Sequence, residues 1–173
     1  MELQEAIKGR RSIRSFKKQN IPEETIAQLI EAARHAPSAG NIQPWQFIIV
    51  RNPTVKNKLV ESAQNQHHVK DAPVVIVVCA DEKSSSMGYG KRGKTLFCLQ
   101  DTAAATQNIL LTAYSLGLGT CWIGAFNEDE AREAVNAPEG VRPVALIPVG
   151  IPDGTPKQRD RKTLSQITHY DSY

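Results

Sequence analysis

The chain has 173 residues, of which 40% are hydrophobic and 23% charged, and its formal net charge is +3. This composition is ordinary for a globular protein, so neither a disordered chain nor a coiled coil is expected. The small charge does not indicate a nucleic-acid partner, and no apolar run approaches the roughly 20 residues of a membrane span. The length suits a single domain, residues 1–173, with a core of its own.

The cysteines and histidines indicate neither disulfides nor a metal. Cys79, Cys98 and Cys121 are widely spaced and offer no disulfide framework and no zinc-ligand spacing. His67 and His68 are adjacent and have no third ligand nearby, so we expect no metal site. The first residues, MELQEAIKGRRS, lack the apolar segment of a secretory signal. We therefore expect a cytoplasmic protein.

Helices and strands are predicted from the spacing of apolar residues. The predicted helices span residues 2–8, 22–36, 54–63, 96–116 and 127–135, and the predicted strands span 47–50, 74–80 and 143–150. The run VVIVVCA at 74–80 is continuous and β-branched, so we expect a central strand covered on both faces. FIIV at 47–50 predicts another buried strand. The helix 96–116 carries few charges, so we expect it to be buried nearly all round.

The remaining segments predict loops and an arm. Residues 81–94 hold three serines and three glycines, which predicts a mobile loop. TCWIGAF at 120–126 predicts a short strand or an extended turn, and Trp122, like Trp45, is expected to face the core. The tail from Ile151 is rich in proline, glycine and charge and is expected to form an arm. The result is one α+β layered fold with the long helix at its centre.

Residues 88–95, GYGKRGKT, match the phosphate-binding loop pattern G-x-x-x-x-G-K-[ST]. In such loops the first glycine closely follows a buried strand. Here the seven residues DEKSSSM separate it from the strand that ends near Ala80, and no later strand ends in an aspartate that could serve Mg²⁺. A P-loop nucleotide-triphosphate-binding protein that uses Gly88–Thr95 is therefore kept only as an alternative.

Two basic clusters lie near opposite ends of the chain. RRSIRSF supplies Arg10, Arg11, Ser12 and Arg14, and RDRK supplies Arg159, Arg161 and Lys162. Guanidinium groups and a serine hydroxyl are donors suited to phosphate, whereas a solvated basic turn is the alternative for the first cluster. Both clusters could bind one anion if the fold brings them together, which the sequence alone leaves open.

Five stretches follow one another along the chain: RRSIRSF, AARHAPSAGNIQPWQFIIV, NQHHVKDAPVVIVV, DTAAATQNILLTAYSLGLGTCWIG and RDRKTLSQI. In content, order and spacing they resemble the flavin-dependent nitroreductase family over nearly the whole chain. The resemblance implies a nitroreductase-like fold, with a central mixed, mainly antiparallel sheet flanked by helices and a long buried central helix. It also implies a C-terminal arm that is exchanged with a partner subunit.

The resemblance further implies a homodimer with FMN in two sites at the subunit interface. By matching position, the FMN phosphate would be held by Arg10, Arg11, Ser12, Arg161 and Lys162. Arg14 would approach the flavin pyrimidine and ribityl oxygens, with Asn65 on the same side. The ring would pack on the partner's backbone at Pro37, Ser38 and Ala39, and its pyrimidine edge would meet Gln43 and Asn41.

Two groups are implied next to the reacting part of the flavin. Ile123 and Gly124 match the segment that lines one ring face, with the Gly124 amide facing N5. A fixed N–H at N5 and a cation near N1 and O2 ease flavin reduction, because electron density rises there. Arg14 would be that cation. Asp101, within the apolar helix, is expected to be a satisfied structural carboxylate.

The implied function is that of an FMN-dependent oxidoreductase with ping-pong chemistry. NADH or NADPH would pass a hydride to flavin N5, and a nitroaromatic, quinone or activated alkene would then accept the electrons. Another flavin reaction on the same fold and a flavin-binding module without turnover remain alternatives. The chain lacks room for the helices that cover the pocket in larger relatives, so residues 81–94, with Tyr89, Lys91 and Arg92, would lie near the entrance.

Overall fold

The computed structural model describes residues 1–173. The helices are α1 (Leu3–Gly9), α2 (Glu23–Arg34), α3 (Pro53–Ser62), α4 (His68–Asp71), α5 (Glu82–Arg92), α6 (Cys98–Ser115) and α7 (Glu128–Ala134). The strands are β1 (Trp45–Val50), β2 (Val74–Asp81), β3 (Gly119–Thr120) and β4 (Val141–Gly150). Short 3₁₀ turns span Ala39–Asn41 and Leu164–Gln166, and a π turn spans Gly93–Phe97. No helix combines the length and the apolar character needed to cross a membrane.

The four strands form one sheet in the order β1-β2-β4-β3, and every pair of neighbouring strands is antiparallel. The parallel contribution is a single bridge between Ser12 and Thr120. The α+β class predicted from the sequence is confirmed, and the mixed character of the sheet is limited to that bridge.

Strand β2 is the centre of the molecule, as predicted, because residues 74–80 are all fully buried. Successive side chains of a strand point to opposite faces. Val74, Ile76 and Val78 accordingly join the apolar cluster formed with α2 and α6. The alternate residues of β2 join a second cluster, formed with α3 and α7 on the other face. One strand therefore organises both halves of the core.

Two elements are less buried than the sequence predicts. Strand β1 is at the edge of the sheet, and the side chains of Phe47, Ile48 and Ile49 are only half-buried. Helix α6 buries one face against α2 and the sheet, whereas Gln107 on its other side is exposed and Leu111 is half-buried. Both differences arise because these elements are covered on one side only within a single chain.

Residues 81–94, predicted as a mobile loop, are mostly helical. Asp81 caps α5, since its side chain accepts hydrogen bonds from the backbone N–H and the hydroxyl of Ser84, at 3.0 and 2.6 Å. Helix α5 kinks at Gly90, where φ is +54°, and Gly93 then packs directly against the backbone of Ser85. The glycines that indicated a loop serve this kink and this close approach.

The two tryptophans differ. Trp45 is buried at 7% exposure, as predicted, whereas Trp122 is 40% exposed. Cys121 and Ile123 on either side of Trp122 face the core. The prediction for Trp122 is therefore wrong, because alternation along an extended segment directs the residue between two inward side chains outward.

We expect Gly93→Ala to destabilise the fold. An added Cβ would lie 2.2 Å from the carbonyl oxygen of Ser85, which is backbone and cannot move aside alone. Overpacking of this kind costs about 1–3 kcal/mol, and each kcal/mol lowers the melting temperature by roughly 2–4 °C in a chain of this size. Thermal unfolding followed by circular dichroism measures the loss. Gly124→Ala is the control, because nothing lies within 4 Å of the added Cβ, and equal melting temperatures for the two variants would contradict the prediction.

Candidate functional site

The segment after α1 is held along the end of the sheet. The Ile13 backbone N–H donates to the Thr120 carbonyl at 2.8 Å, and Ser12 forms the parallel bridge to the same residue. Ile13 and Phe16 are buried against Ala72. Ser12 is half-buried and Arg14 exposed, since residues that alternate with inward side chains face outward.

The C-terminal arm, residues 151–173, begins by running along this same segment. Its first residues pair with residues 15–17: Lys17 N–H donates to the Ile151 carbonyl and Asp153 N–H donates to the Ser15 carbonyl, both at 2.9 Å. Further along, Arg11 Nη2 donates to Gln158 Oε1 at 2.7 Å. These contacts bring the basic start of the arm to the basic segment near the N-terminus.

A cavity of about 270 Å³, here called the anion cavity, lies between the two segments. Its lining holds six cationic side chains and no carboxylate; the lining residues are Arg10, Arg11, Ser12, Arg14, Pro156, Lys157, Arg159 and Arg161. Lys162, predicted to take part, does not line it. A dianionic phosphate group fits this donor set, because guanidinium groups bind phosphate oxygens in a fork geometry. The fold thus places both basic clusters around one cavity.

Arg11 also has a role in holding the cavity together. Its Nη1 donates to the carbonyls of Lys8, Gly9 and Arg10, at 2.6, 2.8 and 3.0 Å, at the end of α1. Its Nη2 bonds Gln158 of the arm. Much of its donor capacity is therefore used within the chain, and Arg10, Arg14, Arg159 and Arg161 remain the better-placed donors for a ligand.

A second group of predicted residues lies around the middle of the sheet. Ile123 is buried and pairs with Leu146 of β4, and Gly124 beside it is exposed with open space on its Cα. The Gly124 N–H donates to no backbone carbonyl. Gln66 Nε2 donates to the Ala125 carbonyl at 3.1 Å, which ties this segment to the turn that contains Asn65. The Gly124 N–H is therefore a donor without a backbone acceptor, at an exposed position in a segment tied down by Gln66.

A buried lysine joins the two helices, α3 and α4, on either side of the turn that contains Asn65. Asn65 itself has a left-handed φ of +59°, and its N–H donates to the Val60 carbonyl at 2.9 Å. Lys56 is 9% exposed, and its Nζ donates to the carbonyls of Lys70 and Ala72, at 3.1 and 2.8 Å. Burial lowers the pKa of Lys56. These bonds hold α3 against the end of α4, the two helices that residues 63–67 connect.

Arg14 acts electrostatically on the half-buried imidazole of His68 and on the buried thiol of Cys121. Burial lowers the pKa of His68, the charge of Arg14 lowers it further, and Asp71 opposes both. His68 Nε2 is buried and has no hydrogen-bond partner. Burial raises the pKa of the Cys121 thiol, and Arg14, Ser12 and Arg10 oppose that rise. The charge of Arg14 therefore acts on His68, to which no pattern in the sequence assigned a role at the site.

The predicted residues from Pro37 to Gln43 form a compact turn. Gln43 N–H donates to Ser38 Oγ at 3.0 Å, and Gln43 Nε2 donates to Asn41 Oδ1 at 3.2 Å. Three residues have left-handed φ values: Gly40 at +55°, Asn41 at +57° and Gln43 at +55°. Asn41 and Gln43 are exposed. The two amides thus bond each other, with their remaining donor and acceptor atoms free.

This turn and the anion cavity lie at opposite ends of the sheet. The turn leads into Trp45, which pairs with Ala80, and Ala80 pairs with Arg142. Ser12 bridges Thr120, which pairs with Val149 at the other end of β4. The eight residues of β2 span about 23 Å at the usual rise of a strand. One chain therefore does not bring the turn to its own cavity.

The phosphate-binding loop that Gly88–Thr95 suggested is absent. These residues lie within α5 and the π turn. Lys94 Nζ lies 3.4 Å from a carboxylate oxygen of Glu82, and the Thr95 hydroxyl donates to the Lys91 carbonyl at 2.9 Å. Gly93 is buried against Ser85. The lysine and hydroxyl that would bind phosphate are thus used within helical structure.

Sequence reasoning missed three residues near the site, Lys157, Gln66 and His68. Lys157 precedes the quoted RDRK run by only two residues and could have been included by charge alone. Gln66 and His68 carry no pattern of their own, and only the fold shows that one braces Ala125 and the other lies beside Arg14.

The comparisons with known proteins agree with this architecture. The NADPH:FMN oxidoreductase of Vibrio harveyi, solved in complex with NAD⁺, superimposes with a TM-score of 0.91 at 28% identity, over 99% of this chain and 77% of that one. A protein of Methanothermobacter thermautotrophicus, whose name joins NADH dehydrogenase and NAD(P)H nitroreductase, is 41% identical over 164 residues, which are 92% of this chain and 82% of that protein. The FMN reductase (NADPH) of Bacillus subtilis is 31% identical over 98% of this chain and 73% of that protein.

The fold and the cavity at the end of its sheet define an α+β protein with the architecture of these flavin oxidoreductases. The family model described as "Nitroreductase family" matches residues 7–67 and 61–151. The chain belongs to the nitroreductase family, and the nitroreductase-like fold predicted from the sequence is confirmed.

We expect Arg14→Gln to raise the pKa of His68. The positive charge of Arg14 disfavours the protonated imidazole, so its removal brings the pKa back toward the ordinary histidine value, although burial still lowers it. The titration of the His68 ring protons by NMR measures the shift. Arg51→Gln is the matched control, because Arg51 pairs with Glu23 at 2.8 Å and is not among the charges that shift His68. An unchanged titration in Arg14→Gln would contradict the placement of Arg14 beside His68.

Proposed function

We propose that residues 1–173 form one domain that binds FMN between two copies of the chain and passes electrons from NADH or NADPH to a small acceptor by a ping-pong mechanism. That the chain is an FMN-dependent NAD(P)H oxidoreductase follows from its family and from relatives named FMN reductase and NADPH-flavin oxidoreductase. The acceptors we propose are nitroaromatics, quinones and activated alkenes.

One observation carries the proposal: the anion cavity joins both basic clusters. Its six cations, without a single carboxylate, repel one another unless an anion is present. A phosphate monoester carries about two negative charges at neutral pH, and FMN is the phosphate-bearing cofactor that the family membership supports. We propose Arg10, Ser12, Arg159 and Arg161 as the direct ligands of its phosphate, with Arg11 joining the arm to α1.

The other predicted residues would act on the ring. Bound flavin supplies hydride transfer at N5, so the chain need not provide a nucleophile. The Gly124 N–H, which has no backbone acceptor, would donate to N5. Arg14 would place its positive charge near N1 and O2, and both groups stabilise the electron density of the reduced ring. Ile123 would line one ring face and Asn65 the ribityl side.

The separation of the turn from the anion cavity supports a site shared between subunits. Within one chain the two lie at opposite ends of the sheet. We propose that the backbone of Pro37, Ser38 and Ala39, together with Asn41 and Gln43, meets the flavin held by the partner's cavity. Two copies related by a twofold axis would then form two identical sites.

The arm supports the same arrangement. Beyond residue 152 every residue of the chain is exposed, including four large apolar or aromatic side chains, Leu164, Ile167, Tyr170 and Tyr173. Exposed apolar side chains in such a row are typical of a protein interface. We propose that the arm of each chain packs on the partner subunit. The three free, buried cysteines suit the reducing cytoplasm, where we place the protein.

We expect the purified chain to bind FMN, to be yellow, and to be bleached by NADH or NADPH. Arg10→Ala should weaken FMN binding about 10- to 100-fold, because a charge-assisted hydrogen bond contributes about 1.5–3 kcal/mol. A fluorescence titration of FMN into the flavin-free chain measures the dissociation constant. Lys94→Ala is the control for loss of a surface cation, since Lys94 lies in the π turn and pairs with Glu82.

A chain that binds no FMN would contradict the proposal, and bound flavin that neither nicotinamide reduces would favour a binding module without turnover. Equal FMN affinities for Arg10→Ala and Lys94→Ala would contradict the proposal that the FMN phosphate binds in the anion cavity.

We expect subunits with different defects to complement each other. Arg10→Ala damages the cavity, and Gly40→Val damages the turn, because φ at Gly40 is +55° and an added Cβ would lie 2.6 Å from the Tyr89 hydroxyl. If each site takes its cavity from one chain and its turn from the other, a heterodimer of the two variants has one intact site and one with both defects. Co-expression with two affinity tags and measurement of bound FMN tests this.

The expected result is one tightly bound FMN per heterodimer and weak binding by both parent homodimers. Sites built within a single chain would give two damaged sites in the heterodimer, and therefore no recovery. Circular dichroism of both parents serves as the control for folding.

A further inference from the structure

Asp101 is a buried carboxylate that the proposed chemistry does not use. It lies in the first turn of α6, is 7% exposed, and its Oδ1 accepts a hydrogen bond from the Ala39 N–H at 3.2 Å. Its Oδ2 is buried and has no partner. The sequence predicted a satisfied structural carboxylate, but only one of the two oxygens is hydrogen-bonded. A half-satisfied buried carboxylate is costly, so its presence here calls for a physical reason.

The residue that Asp101 holds begins the strained turn. Ala39 is followed by Gly40, Asn41 and Gln43, which all have left-handed φ values, and two of these are not glycine. Left-handed conformations at residues other than glycine are strained and persist only where surrounding contacts impose them. Apart from the bonds within the turn itself, the one hydrogen bond that joins it to a helix is that from Ala39 to Asp101.

Helix α5 closes the turn from the side. The Tyr89 hydroxyl lies so close to Gly40 that an added Cβ would be 2.6 Å from it, and the side chain of Ile42 is packed equally closely against Gly88. These are van der Waals contacts, and α5 donates no hydrogen bond to the turn. The turn therefore packs against α5 without a hydrogen bond, whereas the Asp101 carboxylate joins the Ala39 amide to α6 by one.

We propose that Asp101 is a positioning residue: through the Ala39 N–H, its buried carboxylate holds the strained 39–43 turn in the conformation that meets the flavin of the partner subunit. The inference rests on the proposed function, because the flavin gives the turn its purpose. It adds to that function a residue that touches neither flavin nor acceptor.

The electrostatics of the position agree with this role. Burial raises the pKa of Asp101, and the Ala39 N–H, by stabilising the carboxylate, opposes the rise. The charge of Asp101 acts on the Cys98 thiol, one turn earlier in α6. Burial raises the pKa of this thiol, Glu82 and Asp101 raise it further, and Arg142 opposes the rise. Protonation of Asp101 at low pH removes the charge from its bond to Ala39 and so weakens the hold on the turn.

The first test follows the Ala39 amide by NMR and hydrogen exchange in the full-length chain. In Asp101→Ala the amide loses its acceptor, and we expect its exchange to accelerate tenfold or more relative to the wild type. Asp101→Asn keeps an oxygen at the same place and should restore most of the protection. In the wild type the Ala39 amide shift should titrate with a midpoint above the ordinary aspartate value, and in Asp101→Asn that titration should vanish.

Thr106→Val is the matched control. Thr106 is a fully buried polar residue of the same helix, and its hydroxyl donates only to the Thr102 carbonyl within α6. Its replacement perturbs the helix and leaves the turn alone, so the Ala39 amide should keep its wild-type exchange. If Thr106→Val and Asp101→Ala change the Ala39 amide equally, Asp101 has only a general structural role and the proposal is overturned.

The second test measures the dissociation constant of FMN for the same variants. We expect Asp101→Ala to weaken binding about tenfold, Asp101→Asn to recover most of the loss, and Thr106→Val to match the wild type. Wild-type affinity in Asp101→Ala, despite a loosened Ala39 amide, would overturn the link to the flavin. If Asp101→Ala does not fold, the test rests on Asp101→Asn. An Ala39 amide shift that still titrates in Asp101→Asn would overturn the proposal.

The experiments distinguish a failure of the proposed function from a failure of the positioning role of Asp101. A wild-type chain that binds no FMN overturns the proposed function, and the flavin part of the present inference with it. An unchanged Ala39 amide in Asp101→Ala, in a chain whose wild type binds FMN, overturns the positioning role alone.

Discussion

Six cationic side chains that share one small cavity repel one another, and the structure around them is arranged to keep them there. The backbone of residues 15–17 pairs with the start of the arm, and Arg11 bonds both the end of α1 and Gln158. Those contacts hold like charges close together. Their repulsion lowers the stability of the ligand-free protein and favours the binding of a negatively charged ligand. The proposed phosphate site follows from this constraint, and in the proposed complex the flavin ring would extend toward the middle of the sheet, where the exposed Gly124 N–H has no backbone acceptor.

The second constraint is the length of the central strand. Because β2 is buried on both faces and extends for about 23 Å, the segments at its two ends cannot share a ligand within one chain. The turn at Pro37–Gln43 is nevertheless strained, exposed and rich in amides, which is costly for a simple connection. The second copy of the chain that we propose would account for both facts, since it would supply a ligand for the turn and a surface for the apolar residues of the arm. The hydrogen bond from Ala39 to Asp101 fits the same proposal, because it joins the turn to the buried start of α6.

Several features were predictable from the residues, and some were not. VVIVVCA predicted a central strand because a continuous β-branched run is stable only when both faces are covered. The motifs from RRSIRSF to RDRKTLSQI predicted the family. The helical nature of residues 82–92 was not predictable, because serine and glycine favour loops by local propensity. The contacts that support the helix, namely the Asp81 cap and the packing of Gly93 on Ser85, are visible only in the fold. The exposure of Trp122 depends on its neighbours Cys121 and Ile123, which the fold directs inward.

The α+β class, the central strand, the family and the two basic clusters could be predicted from the residues alone, because they depend on local pattern and on residue type. Three features could be seen only in the folded chain. Arg10 and Arg161 line one cavity while Lys162 does not, the P-loop pattern lies in helical structure, and the Ala39 N–H donates to Asp101. Each of these joins residues that are far apart in the chain, or packs backbone against backbone. Such contacts are fixed by the path of the whole chain around its sheet, which no single stretch of sequence contains.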